Sequence, residues 1–209
     1  MRIAIVGAGR IGANAAWLLA KAGHDVVLSF SRDQDKLAAL AAELGGRAAT
    51  PREAVEASQV VIFSVPWRII DEVLEQTGPL EGRIVIDTTN QFGTSGWEDL
   101  GGRTAAQVNA ARMTGARYTK SFNTLTAGFQ AEAAGRTGPE RVVMFLCGDD
   151  EEAKQVVSGL IDDAGFTPID MGGTADAAPM EAPRRPGAVY GEELHEDEAR
   201  AFVEGLRAA

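Results

Sequence analysis

The residues with most chemistry to offer stand at the start of the chain, in Gly7-Ala8-Gly9-Arg10-Ile11-Gly12. A short apolar run, Ile3 to Val6, stops at Gly7, and apolar residues then recur at helical spacing from Ile11 to Leu19. The motif therefore sits on a strand, a tight turn and a helix. In that setting Gly7 permits the turn, Gly9 lets a pyrophosphate approach the backbone, and Gly12 lets the helix pack closely on the strand. The N–H groups at the start of the helix face outward, and the helix dipole there favours negative charge. The chemistry implied is the binding of a dinucleotide.

A second group of residues selects which dinucleotide. Sites that prefer NAD place an acid about 20 residues beyond the glycines, on the ribose 2′-OH. Here that position is Arg32, preceded by Ser31 and followed one helical turn later by Lys36. A 2′-phosphate would meet a hydroxyl, a bidentate guanidinium and a second cation, so NADP(H) is the expected cofactor. Asp33 keeps NAD open, although its place beyond the strand suits a helix cap. Cations at a helix start oppose the dipole, which favours a ligand role over a merely solvated one.

Other candidates lie where later strands end. Ser64, Val65, Pro66 and Trp67 follow the apolar run Gln59 to Val65 and are expected to border the riboses, with helix-to-sheet packing the alternative for Trp67. Thr88 to Phe92 offers hydroxyl and amide groups for the nicotinamide end, or an Asx-type turn. Lys120, Asn123 and Thr124 are expected beside the reacting end, and Arg184-Arg185 suits an anionic substrate, a partner subunit or, more simply, a surface turn. No catalytic acid or base is assigned. Neither His24 nor His195 has ligands at metal spacing, so no metal site is expected.

These residues need a scaffold of alternating strands and helices. Strands are expected at Val26 to Phe30, Arg47 to Thr50, Gln59 to Val65, Gly82 to Asp87, Arg117 to Phe122, Val142 to Cys147 and Phe166 to Asp170. Helices fall between them, with Thr50 and Gly148-Asp149-Asp150 as caps and Pro51 at a first helical position. Gly93 to Gly102 reads as a loop over the site, and a final helix is expected from Glu192 to Arg207. The fold class is α/β, a doubly wound and mostly parallel sheet of the Rossmann NAD(P)-binding kind. Residues 1–170 form that domain; 171–209 form a short extension packed on it or on a dimer partner.

Composition sets limits. Lys plus Arg is 20 against 30 Asp plus Glu, a net charge of −10, which argues against nucleic acid and anionic membranes as partners. The one cysteine, Cys147, lies in an apolar run and reads as a buried, inert thiol. No signal-peptide pattern and no membrane-length apolar stretch occur, so a soluble cytoplasmic protein is expected.

The sequence resembles the coenzyme F420-dependent NADP oxidoreductases over nearly its whole length. The likeness rests on Gly7-Ala-Gly9-Arg-Ile-Gly12, Ser31-Arg32 with Lys36, Val65-Pro66-Trp67, Lys120-Ser-Phe-Asn123-Thr124 and Gly148-Asp-Asp. The loop Asp87 to Phe92 and the tail Ala182 to Gly187 look like a bacterial branch known as dinucleotide-binding proteins. The resemblance implies a homodimer, Ser31, Arg32 and Lys36 on the 2′-phosphate, and hydride transfer between the C4 of NADP(H) and the C5 of the deazaflavin F420. The chain also resembles the N-terminal half of β-hydroxyacid dehydrogenases and pyrroline-carboxylate reductases, whose long helical C-terminal domain often supplies a catalytic lysine; Lys120 is the nearest counterpart. Three readings follow: an F420-type reductase, an NADPH-dependent reductase of a small carbonyl, imine, quinone or flavin, and a non-catalytic NADPH-binding sensor.

Overall fold

The computed structural model describes residues 1–208. In chain order the elements are β1 (Arg2–Val6), α1 (Arg10–Lys21), β2 (Asp25–Ser29), α2 (Gln34–Glu43), β3 (Arg47–Ala48), α3 (Pro51–Glu56) and β4 (Val60–Phe63). A 3-10 turn (Trp67–Ile69) runs into α4 (Ile70–Thr77), followed by β5 (Ile84–Asp87) and a small hairpin of β6 (Phe92–Gly93) and β7 (Gly96–Trp97). Then come α5 (Ala105–Arg112), β8 (Arg117–Ser121), α6 (Ala127–Ala133), β9 (Val143–Gly148), α7 (Glu151–Asp163), β10 (Thr167–Asp170) and α8 (Glu196–Ala208).

Eight strands form one sheet in the order β10-β9-β8-β5-β4-β1-β2-β3. From β3 to β8 every pairing is parallel, whereas β9 runs antiparallel to β8 and carries β10 with it. The central strands are buried on both faces, which is why their sequences are near-continuous apolar runs. In β1, Ala4 and Val6 enter the core on one face of the sheet and Ile3 and Ile5 the core on the other. The chain moves outward from β1 to β2 and β3, then returns to β4 on the opposite side. That reversal between β1 and β4 opens the crevice at which such sheets bind ligands.

The tail packs on the same domain. Gly148 N–H bonds the carbonyl of Gly172 at 3.0 Å, and the Thr104 hydroxyl bonds that of Thr174 at 2.7 Å. Buried Glu181 accepts the Ala105 and Ala106 N–H groups, each at 2.7 Å, and so neutralises the start of α5. A 3-10 segment, Thr174–Met180, forms across the small and polar stretch that ends at Pro179, and the final helix begins at Glu196 rather than Glu192. Among the described residues no helix is long and apolar enough to cross a membrane, and no cluster of His, Cys, Asp or Glu forms a metal site.

Candidate functional site

The turn after β1 is built by exclusion of side chains. Gly7 has φ +104°, and a Cβ there would lie 2.2 Å from the carbonyl oxygen of Ser64. A Cβ on Gly12 would lie 2.0 Å from the carbonyl oxygen of Gly7. Both glycines are therefore required by the packing of β1, α1 and the end of β4. Gly9 differs, because a Cβ there would meet nothing within 4 Å. It caps α1 without a side-chain bond, and the first turn holds no acid. By contrast, Asp33, Thr50, Thr104, Thr126 and Asp150 cap α2, α3, α5, α6 and α7 with their side chains. The helix start between Ala8 and Gly12 thus presents uncapped N–H groups beside open space, with Arg10 exposed and Ile11 half-buried.

The loop after β2 treats its three candidates differently. The Ser31 hydroxyl is committed locally, donating to the Asp33 carbonyl at 3.0 Å and accepting the Asp33 N–H at 3.2 Å. Asp33 caps α2 by accepting the Lys36 N–H at 3.0 Å, the capping role its position suggested. It also pairs with the Lys36 ammonium at 3.2 Å, though the Lys36 side chain is 86% exposed. Arg32 is exposed and has neither a hydrogen bond nor an ion pair among the described residues. Beside it lies a cavity of about 550 Å³ lined by Phe30, Ser31, Gln34, Ala49 and Gln76 among others.

At the other end of the crevice, Val65 is buried against Gly7, Ser64 is half-buried, and Pro66 is exposed as it starts the 3-10 turn. Trp67 turns away from this edge. Its indole N–H donates to Glu98 and the Arg112 guanidinium lies 4.7 Å above its ring, so it packs beneath the β6–β7 hairpin beside a cavity of about 410 Å³. A further cavity, about 290 Å³, brings Ile11 together with Thr88, Asn90, Asn123, Thr124 and Tyr190. Asn123 donates to the Met180 carbonyl at 2.7 Å and to Asn90 Oδ1 at 3.3 Å, while its own buried Oδ1 has no partner among the described residues. Asn90 returns a bond to the Asn123 carbonyl at 3.0 Å and accepts the Ala182 N–H at 3.2 Å. Phe92 lines the same cavity and stacks against Trp97 with ring centroids 4.0 Å apart, both rings exposed.

Lys120 does not reach this cavity. It is fully buried, donating to the Thr89 carbonyl at 2.5 Å and pairing with buried Asp87 at 3.3 Å. The expectation that it stands beside the reacting end is corrected: in β8 it points inward, and Asp87 at the end of β5 compensates its charge. Tyr118 and Asn109 complete the cluster with bonds of 2.6 and 2.8 Å to Asp87 Oδ2. Burial pushes the Tyr118 phenol well above its usual range, and burial likewise raises the Cys147 thiol, so neither ionises near neutral pH. Arg184 forms a bidentate pair with Glu192 at 2.6 and 2.9 Å, and Arg185 bonds carbonyls of its own segment, so both hold the tail in shape.

Tyr190 is the residue that sequence reasoning passed over. No motif surrounds it, and it enters the cavity only because the Gly191 N–H bonds the Thr124 carbonyl at 2.8 Å, across 67 positions of chain.

A model of the family described as NADP oxidoreductase, coenzyme F420-dependent, matches residues 2–91. Metalloreductase STEAP3 of Rattus norvegicus is 30% identical over 181 residues, which is 87% of this chain but 36% of that protein, so the chain spans about a third of the length of this curated relative. Among solved structures, a hypothetical protein from Sinorhizobium meliloti has a TM-score of 0.80 at 30% identity, over 94% of this chain and 96% of that one. A proposed F420-dependent NADP-reductase from Arthrobacter sp. FB24 has a TM-score of 0.73 at 22% identity, over 84% and 86% of the two chains. A reductive aminase from Aspergillus terreus in complex with NADPH and ethyl levulinate has a TM-score of 0.61 at 22% identity, over 85% of this chain and 56% of that one. The last two likenesses concern the fold alone. The glycine-turn half of the chain is thus similar to the family described as coenzyme F420-dependent NADP oxidoreductases.

Proposed function

We propose that the protein is an NADP(H)-dependent oxidoreductase that exchanges a hydride between NADPH and coenzyme F420. The observation that carries the cofactor half is the uncapped start of α1 behind the open position of Gly9, with Arg32, exposed and without a partner among the described residues, at the end of neighbouring β2. In this reading the backbone from Gly7 to Gly12, through Ala8, Gly9, Arg10 and Ile11, holds the pyrophosphate. Arg32 is the principal contact of the 2′-phosphate, with Lys36 adding charge and Ser31 shaping the loop. Ser64, Val65 and Pro66 border the riboses, and Asn123 and Thr124 flank the nicotinamide, where the unpartnered Asn123 Oδ1 suits a carboxamide N–H. NADPH, when bound, supplies a hydride at its nicotinamide C4; the protein orients it and excludes water.

F420 as the acceptor rests on the family likeness and on the exposed Phe92–Trp97 pair at the cavity rim, two rings tilted 39° to each other that offer aromatic surface to a fused ring. A second reading keeps NADPH and takes a small carbonyl, imine, quinone or flavin; the modest 290 Å³ cavity favours it. The family resemblance further implies a homodimer, which sedimentation at micromolar concentration checks. The test of function is optical: protein with NADPH and F420 should bleach both chromophores together. No change with F420 but NADPH oxidation by a small acceptor selects the second reading. NADPH binding with no turnover on any acceptor leaves a sensor.

A further inference from the structure

Reduction of a conjugated C=O or C=N group, the deazaflavin included, takes up a hydride at carbon and a proton at the heteroatom. Something must deliver that proton into a site from which water is being excluded. Around the cavity that joins the start of α1 to the ends of β5 and β8, the lining consists of apolar side chains, asparagine amides and threonine hydroxyls, with one exception. That exception is Tyr190.

Building on the NADP(H) reading, we propose that Tyr190 is a catalytic residue, the general acid that gives its phenolic proton to the acceptor heteroatom. Three observations converge. First, Tyr190 lines the cavity together with Ile11 of the glycine turn and with Asn123 and Thr124, and among the described residues its hydroxyl makes no hydrogen bond, the one bond from Tyr190 being that of its backbone N–H. Second, the backbone around it is fixed: Val189 and Tyr190 N–H groups bond the Pro179 carbonyl at 2.9 and 3.3 Å, and Gly191 bonds Thr124 at 2.8 Å. Third, the side chain is half-buried, so burial raises its pKa and keeps the phenol protonated at neutral pH.

The charged groups packed near it are all otherwise engaged. Arg184 pairs with Glu192, Glu181 caps α5, and Arg185 donates to carbonyls of its own segment. Lys120 and Asp87 neutralise each other beneath the Thr89 carbonyl. None of them offers a competing proton to the cavity.

The acceptor carbon gains a hydride from the dihydronicotinamide, which leaves it as the oxidised ring. The phenol O–H bond breaks, its electron pair stays on the Tyr190 oxygen, and a new O–H or N–H bond forms on the acceptor. The phenolate then takes a proton from water through the open mouth of the cavity.

The chain has two tyrosines, so ring-labelled tyrosine gives two NMR signals, and Tyr190→Phe assigns them. In the whole protein, addition of NADPH should shift the Tyr190 signal and its titration midpoint while leaving buried Tyr118 unmoved. With F420, a cyclic imine and a quinone as probe acceptors, Tyr190→Phe should lower kcat roughly a hundredfold to ten-thousandfold at unchanged NADPH affinity. The alkaline limb of the wild-type kcat/KM profile should vanish in the variant. An unmoved Tyr190 signal on saturation with NADPH, or wild-type kcat and pH profile in Tyr190→Phe, overturns the assignment. If instead the wild-type protein fails to bind NADPH, it is the NADP(H) reading itself that fails.

Discussion

The same substitution at two glycines of one turn should have opposite consequences. At Gly12, alanine places a methyl group 2.0 Å from the carbonyl oxygen of Gly7, a backbone atom that cannot swing aside. Overpacking of this kind costs about 1–3 kcal/mol, or roughly 2–12 °C of Tm for a chain of this size. At Gly9, alanine meets no atom within 4 Å and the backbone, at φ −75° and ψ −169°, is open to any L residue. The loss of glycine at an N-cap costs about 1 kcal/mol, and the reduced entropy of the unfolded chain returns about 0.4–1 kcal/mol. Gly9→Ala should therefore hold Tm within about 4 °C of the parent. Its methyl group, however, occupies the space into which a pyrophosphate must come. Displacing one or two charge-assisted backbone bonds, at about 1.5–3 kcal/mol each, weakens NADPH binding at least tenfold and on the order of a hundredfold. Paired thermal melts without ligand and calorimetric titrations with NADPH separate the two effects. A Gly9→Ala variant that binds NADPH like the parent would refute the placement of the pyrophosphate, and an unaffected Tm in Gly12→Ala would refute the packing argument.

Three further outcomes follow from the geometry. Lys120→Met leaves Asp87 charged in a fully buried setting and should cost about 3–5 kcal/mol, whereas Lys120→Met with Asp87→Asn should recover part of that loss; chemical denaturation measures both. Hydrogen bonds from Arg117 and from the Ala153 N–H hold the Asp150 carboxyl well below the usual carboxylate range. A lowered folded-state pKa means that its stabilisation is present above the unfolded value, near pH 4, and is lost as pH falls further, so Asp150→Asn should flatten the acid limb of a Tm-versus-pH curve. Cys147, fully buried with its thiol pushed up by burial, should react with a thiol reagent only after unfolding; rapid labelling of the native protein would contradict the fold around β9.

The parts of this molecule legible in its sequence are those whose causes are local. Ile3 to Val6, the turn at Gly7 and the apolar stripe of α1 lie within 20 consecutive residues, and the structure reproduces them because strand, turn and helix each follow from nearest neighbours. Thr50 and Pro51 likewise set the start of α3 through a capping box with Glu53. The direction of β9 was not readable: the run Val142 to Cys147 signals burial, and only the connection through α6 decides which way it enters the sheet. Lys120 misled because a lysine near a strand end usually reaches solvent, and the partner that neutralises it lies 33 residues away. Tyr190 was invisible for the same reason, since its place is set by a bond from Gly191 to Thr124 rather than by anything beside it. Of Ser31, Arg32 and Lys36, Ser31 bonds Asp33 and Lys36 pairs with it, whereas Arg32 makes no bond among the described residues.

The central claim is that this crevice takes NADP(H) and tells it from NAD(H) by Arg32. Thermal stabilisation measures this most directly, because a ligand at about 100 times its Kd raises the apparent stability by about 2.7 kcal/mol, or roughly 5–10 °C here. The account predicts that NADPH stabilises the protein by that amount at concentrations where NADH does little, and that Arg32→Ala erases the difference. Equal stabilisation by NADPH and NADH, or a preference that survives Arg32→Ala, would contradict it.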